Sequence, residues 1–210
     1  MMVESENPYP DIRDPRVMVA VPRERRAAMA TLWAFAERLT NLLVDARELL
    51  IGQIKLAWWR DMAAMIASDP AALPKGEPLL AELGTTWAGQ GGLDTIVDAA
   101  EAVLLADDAA AQQIAAAAFG DALFALAGGQ AKSGARWGLV WGAGLQQSAK
   151  EAREYFAVAH DLPPPARRSF SGNKALLMLD RWAAMIVESG GERRWRREGL
   201  LLLRIGLIGR

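Results

Sequence analysis

Residues 21–61 read VPRERRAAMATLWAFAERLTNLLVDARELLIGQIKLAWWRD, and their periodicity decides the fold class. In the first half, Met29, Leu32, Trp33, Ala36, Leu39 and Leu43 recur three or four residues apart. That spacing places them on one face of a helix over residues 23–45. Pro22 suits the entry to that helix, because an N–H missing in the first turn breaks no hydrogen bond. In the second half, Ile51, Ile54, Trp58, Met62 and Met65 form another stripe, which predicts a helix over residues 48–68 with Trp58 in the core. Asp69-Pro70 ends it, since proline disfavours helical geometry in the residue before it.

The rest of the chain extends the same pattern. Helices are expected over 79–88, from Asp94 or Thr95 to 105, from Asp107-Asp108 to 126, over 133–160, over 174–188 and over 192–208. Glycine and proline clusters at 70–78, 89–92, 128–129, 161–165 and 189–191 separate them. The 133–160 helix carries Gly138, Gly142 and Gly144, which either let helices pack closely or leave room for a ligand. Residues 1–21 form a polar leader, partly ordered, and 22–210 form one domain. The connections suit helix-to-helix turns better than a domain boundary.

Composition narrows the chemistry. The chain has 210 residues, 52% of them hydrophobic, with Ala and Leu far ahead of Val and Ile. Helix formers therefore dominate. No cysteine and one histidine, His160, exclude disulfides, thiolate metal sites and multi-histidine centres. His160 lies at a predicted helix end before Asp161 and the prolines, and catalysis is not expected of it. With 24 Lys plus Arg against 25 Asp plus Glu, the net charge is −1, which argues against a nucleic-acid partner. The start, MMVESENPYP, lacks the basic and apolar regions of a secretory signal. No run of about 18 apolar, charge-free residues predicts a membrane span. The expected location is cytoplasmic, with peripheral membrane contact allowed.

The 21–61 segment also resembles the opening of the squalene/phytoene synthase family. The resemblance rests on Arg25-Arg26, on Ala34-Phe35, and above all on Ile51-Gly52-Gln53-Ile54-Lys55-Leu56-Ala57-Trp58-Trp59-Arg60-Asp61. It implies an all-α, single-domain bundle of the isoprenoid (terpenoid) synthase type, reduced in length. Active members of that family carry two Asp-rich motifs whose carboxylates hold Mg²⁺ on a prenyl diphosphate. Here the first motif would fall at Thr40, Asn41 and Val44, none of them acidic, with Asp45 next door. The second motif is not visible between Gly128 and Glu151. The pattern is similar to the divergent branch that includes the mitochondrial assembly factor for respiratory complex I and its bacterial relatives.

The resemblance therefore implies a pseudoenzyme without cofactor: a lipid- or isoprenoid-binding accessory protein, with a respiratory-chain subunit as the implied partner. The competing expectation is a Mg-dependent prenyltransferase in isoprenoid biosynthesis, with Asp45, Glu37, Glu101 or Asp121 converging on one cavity. The candidate pocket comprises Trp33, Glu37, Thr40, Asn41, Val44, Asp45, Gly138, Trp141 and Gly142. A filled core is the alternative for these positions. Asp107-Asp108 reads as a helix cap. Asp94, Asp98 and Glu101 share a face, either solvated or able to bind a divalent ion. Lys55 and Trp59, one turn apart, suit a surface cation–π contact. Arg193, Arg194, Trp195, Arg196 and Arg197 beside Leu200–Leu203 suit either a packed last helix or a membrane or partner surface, which would make the chain a peripheral membrane-binding module.

Overall fold

Helix signals in the sequence become helices wherever a cap and an apolar face coincide. The computed structural model describes residues 9–170 and 172–208, and among them all regular structure is helical. Ten α-helices follow in order: α1 (Pro15–Met18), α2 (Arg26–Asp45), α3 (Leu49–Ser68), α4 (Pro78–Thr86), α5 (Leu93–Leu105), α6 (Ala109–Leu126), α7 (Ala135–Gly144), α8 (Ala149–Asp161), α9 (Lys174–Glu188) and α10 (Trp195–Ile208). The all-α class is as expected.

The 133–160 segment is two helices, α7 and α8, where one was expected. Ser148 accepts from the Glu151 amide at 3.2 Å, and the Glu151 carboxylate accepts from the Ser148 amide at 3.3 Å. This reciprocal capping box satisfies two amides that an unbroken helix would bond internally, and it stabilises the new start by about 1 kcal/mol. Asp108 caps α6 in the expected way, accepting from the Ala111 amide at 2.7 Å. Asn173 caps α9 through the Leu176 amide.

α6 is the central helix, packed between α5 and α7, and α7 in turn meets α8 and α9. By length and composition α6 is apolar enough to cross a membrane. Asp121 interrupts it, however, and Ala115, Ala116, Phe119, Gly120, Leu123 and Phe124 are buried inside the bundle. Glycines make the α6–α7 crossing close. A Cβ at Gly134 or Gly138 would run into the backbone of α6. This decides one alternative left by the sequence, since Gly138 serves packing.

The second half of the leader belongs to the core. Ile12 and Val17 are fully buried, and the Trp137 indole donates to the Pro10 carbonyl at 2.7 Å. Arg13 bridges Asp11 and Glu37 at 2.6 and 2.8 Å, tying this segment to α2. Residues 1–8 of the leader lie outside the described residues.

On α3 the buried stripe is Gly52, Leu56, Trp59, Met62, Ala63 and Ile66. Trp58, expected in the core, is 39% exposed, and Ile51 and Ile54 are exposed with it. The helix is apolar on most of its circumference, so two stripes compete. Phe35 on α2 selects Trp59, their rings 5.0 Å apart. Trp59 is thereby drawn inward, away from the surface contact expected with Lys55.

Candidate functional site

Six of the nine candidate pocket residues fall in two neighbourhoods, while Gly138 lies in the α6–α7 crossing and Asn41 and Asp45 line neither. Trp33, Glu37 and Thr40 border a void of about 10 Å³ beside Tyr9, Asp11 and Trp137. That space cannot hold a lipid tail. The Trp141 indole donates to the Thr40 hydroxyl at 3.0 Å, which donates to the Ala36 carbonyl at 2.8 Å. Trp33 and Trp137 pack edge to face at 6.4 Å. Around Trp33, Glu37 and Thr40 the filled-core alternative therefore holds, because aromatic rings and a glycine-lined crossing occupy the volume.

The second neighbourhood is open. A cleft of about 600 Å³ is lined by Val44, Trp141 and Gly142 from the candidate set, together with residues not singled out from the sequence. It forms where the C-terminal ends of α2, α5 and α7 meet the N-terminal ends of α6 and α8. Leu43, Val103, Leu104 and Leu145 supply apolar wall; Gln112, Gln146 and Gln147 supply neutral amides. Asn41 and Asp45 are exposed at the end of α2.

The Tyr155 phenol is pushed above 10.0 by burial, with Gln146 opposing the shift through a hydrogen bond and Glu151 adding to it. It is protonated throughout the physiological range. Gln146 also donates to the Gly142 carbonyl at 2.9 Å, fixing the wall at the end of α7. Among the described residues Glu151 is the single acid of the lining, and its carboxylate is engaged in the α8 cap. Among the described residues, no lysine or arginine lines the cleft.

This donor set does not fit a Mg²⁺–diphosphate site, which needs several hard carboxylate oxygens on the metal or cations on the phosphates. The four acids of the prenyltransferase expectation do not meet. Glu37 pairs with Arg13, Glu101 with Arg60 at 2.6 Å, and Asp121 accepts from the Gly134 amide at 2.9 Å, while Asp45 faces solvent. Asp98 shares Arg60 with Glu101, at 2.7 Å, so this acidic face of α5 serves as a cross-link to α3. Among the described residues, no group of three or more His, Cys, Asp or Glu could hold a metal.

Aliphatic side chains are exposed at the ends of α2 and α5 and over the first turns of α3. Val44, Leu49, Leu50, Ile51, Ile54 and Leu105 are all exposed. Gly52 on the first turn of α3 faces Leu104 of the cleft wall, which brings this end of α3 beside the opening.

The C-terminal basic cluster also divides. Arg193, expected at the surface, is only 17% exposed in its side chain. It lies between Trp182 and Trp195, 5.4 and 4.0 Å from their ring centres, and bridges buried Glu198 at 3.0 Å. Burial raises the Glu198 pKa, but donors from Arg193, the Arg194 amide and the Trp182 indole bring it below the ordinary value. Arg193 is a packing residue because it neutralises that carboxylate. Arg194, Trp195, Arg196 and Arg197 are exposed.

The sequence reading missed Glu198 as the anchor of α10. Its side-chain partner Arg193 lies five residues before it, outside the usual three- or four-residue helical pairing, and Arg194 contributes only its backbone amide. It also missed Arg136–Asp180, a buried pair at 3.2 Å joining α7 to α9. No local signal reveals that contact across 44 residues.

No family model, no curated protein and no solved structure matches the chain.

Proposed function

We propose that the chain is a non-catalytic, squalene/phytoene synthase-like accessory protein that holds the tail of a neutral lipid or isoprenoid in the cleft at Trp141 and Gly142. The observation that carries this reading is the cleft itself. It has the size of a small-molecule site and a lining in which apolar side chains are outweighed at the accessible surface by polar groups, among them three glutamine amides and a phenol; among the described residues that lining includes neither a cation nor a carboxylate cluster. Such a lining suits a carbonyl or hydroxyl head group and disfavours a diphosphate, whose charge would go uncompensated. The exposed Leu50, Ile54 and Trp58, which recur every four residues on α3, support an accessory role, since they offer a partner protein apolar side chains on one side of that helix. Assembly of respiratory complex I is the setting that the resemblance in residues 21–61 suggests.

Mass spectrometry of organic extracts from the purified protein tests this reading. A neutral lipid recovered from the wild type and lost from Val103→Trp, which fills the cleft, is the expected result. Mg²⁺-dependent conversion of farnesyl or geranylgeranyl diphosphate by the purified chain would falsify it.

A further inference from the structure

Helix α10 turns a row of leucines away from the protein. Glu198, Leu202 and Ile205 face the core, whereas Leu200, Leu203 and Leu207 project from the opposite side and are 66%, 59% and 77% exposed. At 3.6 residues per turn these three leucines fall within one narrow arc, with Arg196 at its N-terminal end. Among the described residues, nothing covers that arc.

Cations border it on both sides. Along one flank runs a groove of about 290 Å³ lined by Arg167, Arg181 and Arg204 over Leu177, Leu201 and Ile205. Along the other runs a groove of about 630 Å³ lined in part by Arg16, Lys174 and Val19. Lys174 donates to the Gly206 carbonyl at 3.0 Å, which holds it against α10. Among the described residues, no acidic side chain lines either groove. Asp14 offsets Arg16 through a 2.7 Å ion pair, and buried Asp180 lies 3.8 Å from Arg181. A chain with a net charge of −1 thus concentrates positive charge along one exposed leucine ridge.

We propose that α10 lies in the surface of an anionic lipid bilayer. Leu200, Leu203 and Leu207 enter the boundary between head groups and acyl chains, and Arg196, Arg204, Arg181 and Arg167 meet the lipid phosphates. An outward apolar arc edged by arginine is the pattern of an interfacial helix. Charge complementarity selects this occupant. A second copy of the chain would bring the same arginines against one another, whereas an anionic bilayer supplies phosphate at the depth the arginines reach. The proposal is independent of the cleft, and the Val103→Trp variant leaves it unchanged.

Co-sedimentation of the full chain with vesicles provides the test. Vesicles of phosphatidylglycerol and phosphatidylcholine in equal parts bind the wild type, and phosphatidylcholine alone binds it about tenfold more weakly or less. The double variant Leu203→Glu, Leu207→Glu loses at least about tenfold of the binding to anionic vesicles. The double variant Arg196→Glu, Arg204→Glu loses a similar factor and much of the salt sensitivity. All four side chains are exposed, so wild-type melting midpoints in both variants confirm that the fold is intact. Four results overturn the proposal: no binding of the wild type to anionic vesicles, equal binding to neutral ones, unchanged binding by both variants, or full displacement by millimolar glycerol phosphate, which would indicate a free-anion site. A dimer abolished by the leucine variant, without vesicle binding, overturns it in favour of a second copy.

Discussion

The interior around Thr40 and the cleft beside Gly142 share a wall, the ring of Trp141, yet one is closed and the other open. On the closed side Trp141 stacks on Phe119 at 4.1 Å and donates to Thr40. Gly134 and Gly138 there let α7 settle onto α6 until the backbones touch. On the open side the same helices end, and the connections at 106–108 and 145–148 diverge before side chains can fill the space. Small residues in mid-helix close a bundle, and capped helix ends leave a mouth. A site at the ends of helices can therefore persist even when the interior beneath it has been filled.

Substitutions can separate the two regions. Gly138→Ala strikes the closed crossing, where the added methyl meets the Ala116 carbonyl and the Gly120 backbone. Backbone cannot yield as a side chain does, so a loss of about 3 kcal/mol or more is expected by urea denaturation. Thr40→Val keeps the volume but leaves the buried Trp141 indole without an acceptor. A loss of about 1–3 kcal/mol follows, with the Trp141 ring freer and near-ultraviolet circular dichroism reduced. Gly142→Ala touches the boundary instead. Its methyl meets Tyr155 Cε1 at 2.7 Å and Ala116 Cβ at 2.8 Å, and the ring can give way toward the cleft. A loss of about 1 kcal/mol is expected. Equal losses at Gly138 and Gly142 would show that the cleft wall is as rigid as the interior.

The smallest expected effect is a pH dependence at the foot of the closed crossing. Burial raises the Asp121 carboxyl above 3.8, opposed by hydrogen bonds from the Gly134 and Ala135 amides. The fold thus disfavours its ionised form relative to the unfolded chain. That penalty is present above the folded value and vanishes as pH falls below the unfolded one. Asp121→Asn is expected to melt slightly above wild type at neutral pH and level with it in acid. A variant that melts below wild type at neutral pH would show that the charge is favourable at the start of α7.

Much of the bundle was legible before any coordinates. The ends of α2, α3, α5 and α9 follow from apolar period, Asp69-Pro70 and the Gly-Gly breaks within a few residues. The α7–α8 break was legible too, in Ser148-Ala149-Lys150-Glu151, but the apolar glycine-rich run before it masked the cap. The α3 phase was not legible, because Trp58 and Trp59 are equally apolar and only Phe35 opposite distinguishes them. Of the candidate site, Val44, Trp141 and Gly142 were found by spacing and resemblance. The glutamines were not, since amides carry no motif and gain their role from the cavity they face.

The sequence by itself determined that the chain is helical, where most helices begin and end, and that thiol and multi-histidine chemistry are excluded. These are properties of single residues and of neighbours within a turn or two, where propensity, capping and proline geometry act. Tertiary structure alone decided which stripe of α3 is buried, that Arg193 turns inward while Leu203 turns outward, and that the space lies at the helix ends rather than beneath Thr40. Those outcomes depend on which faces meet across tens of residues of chain, and no local free energy encodes them.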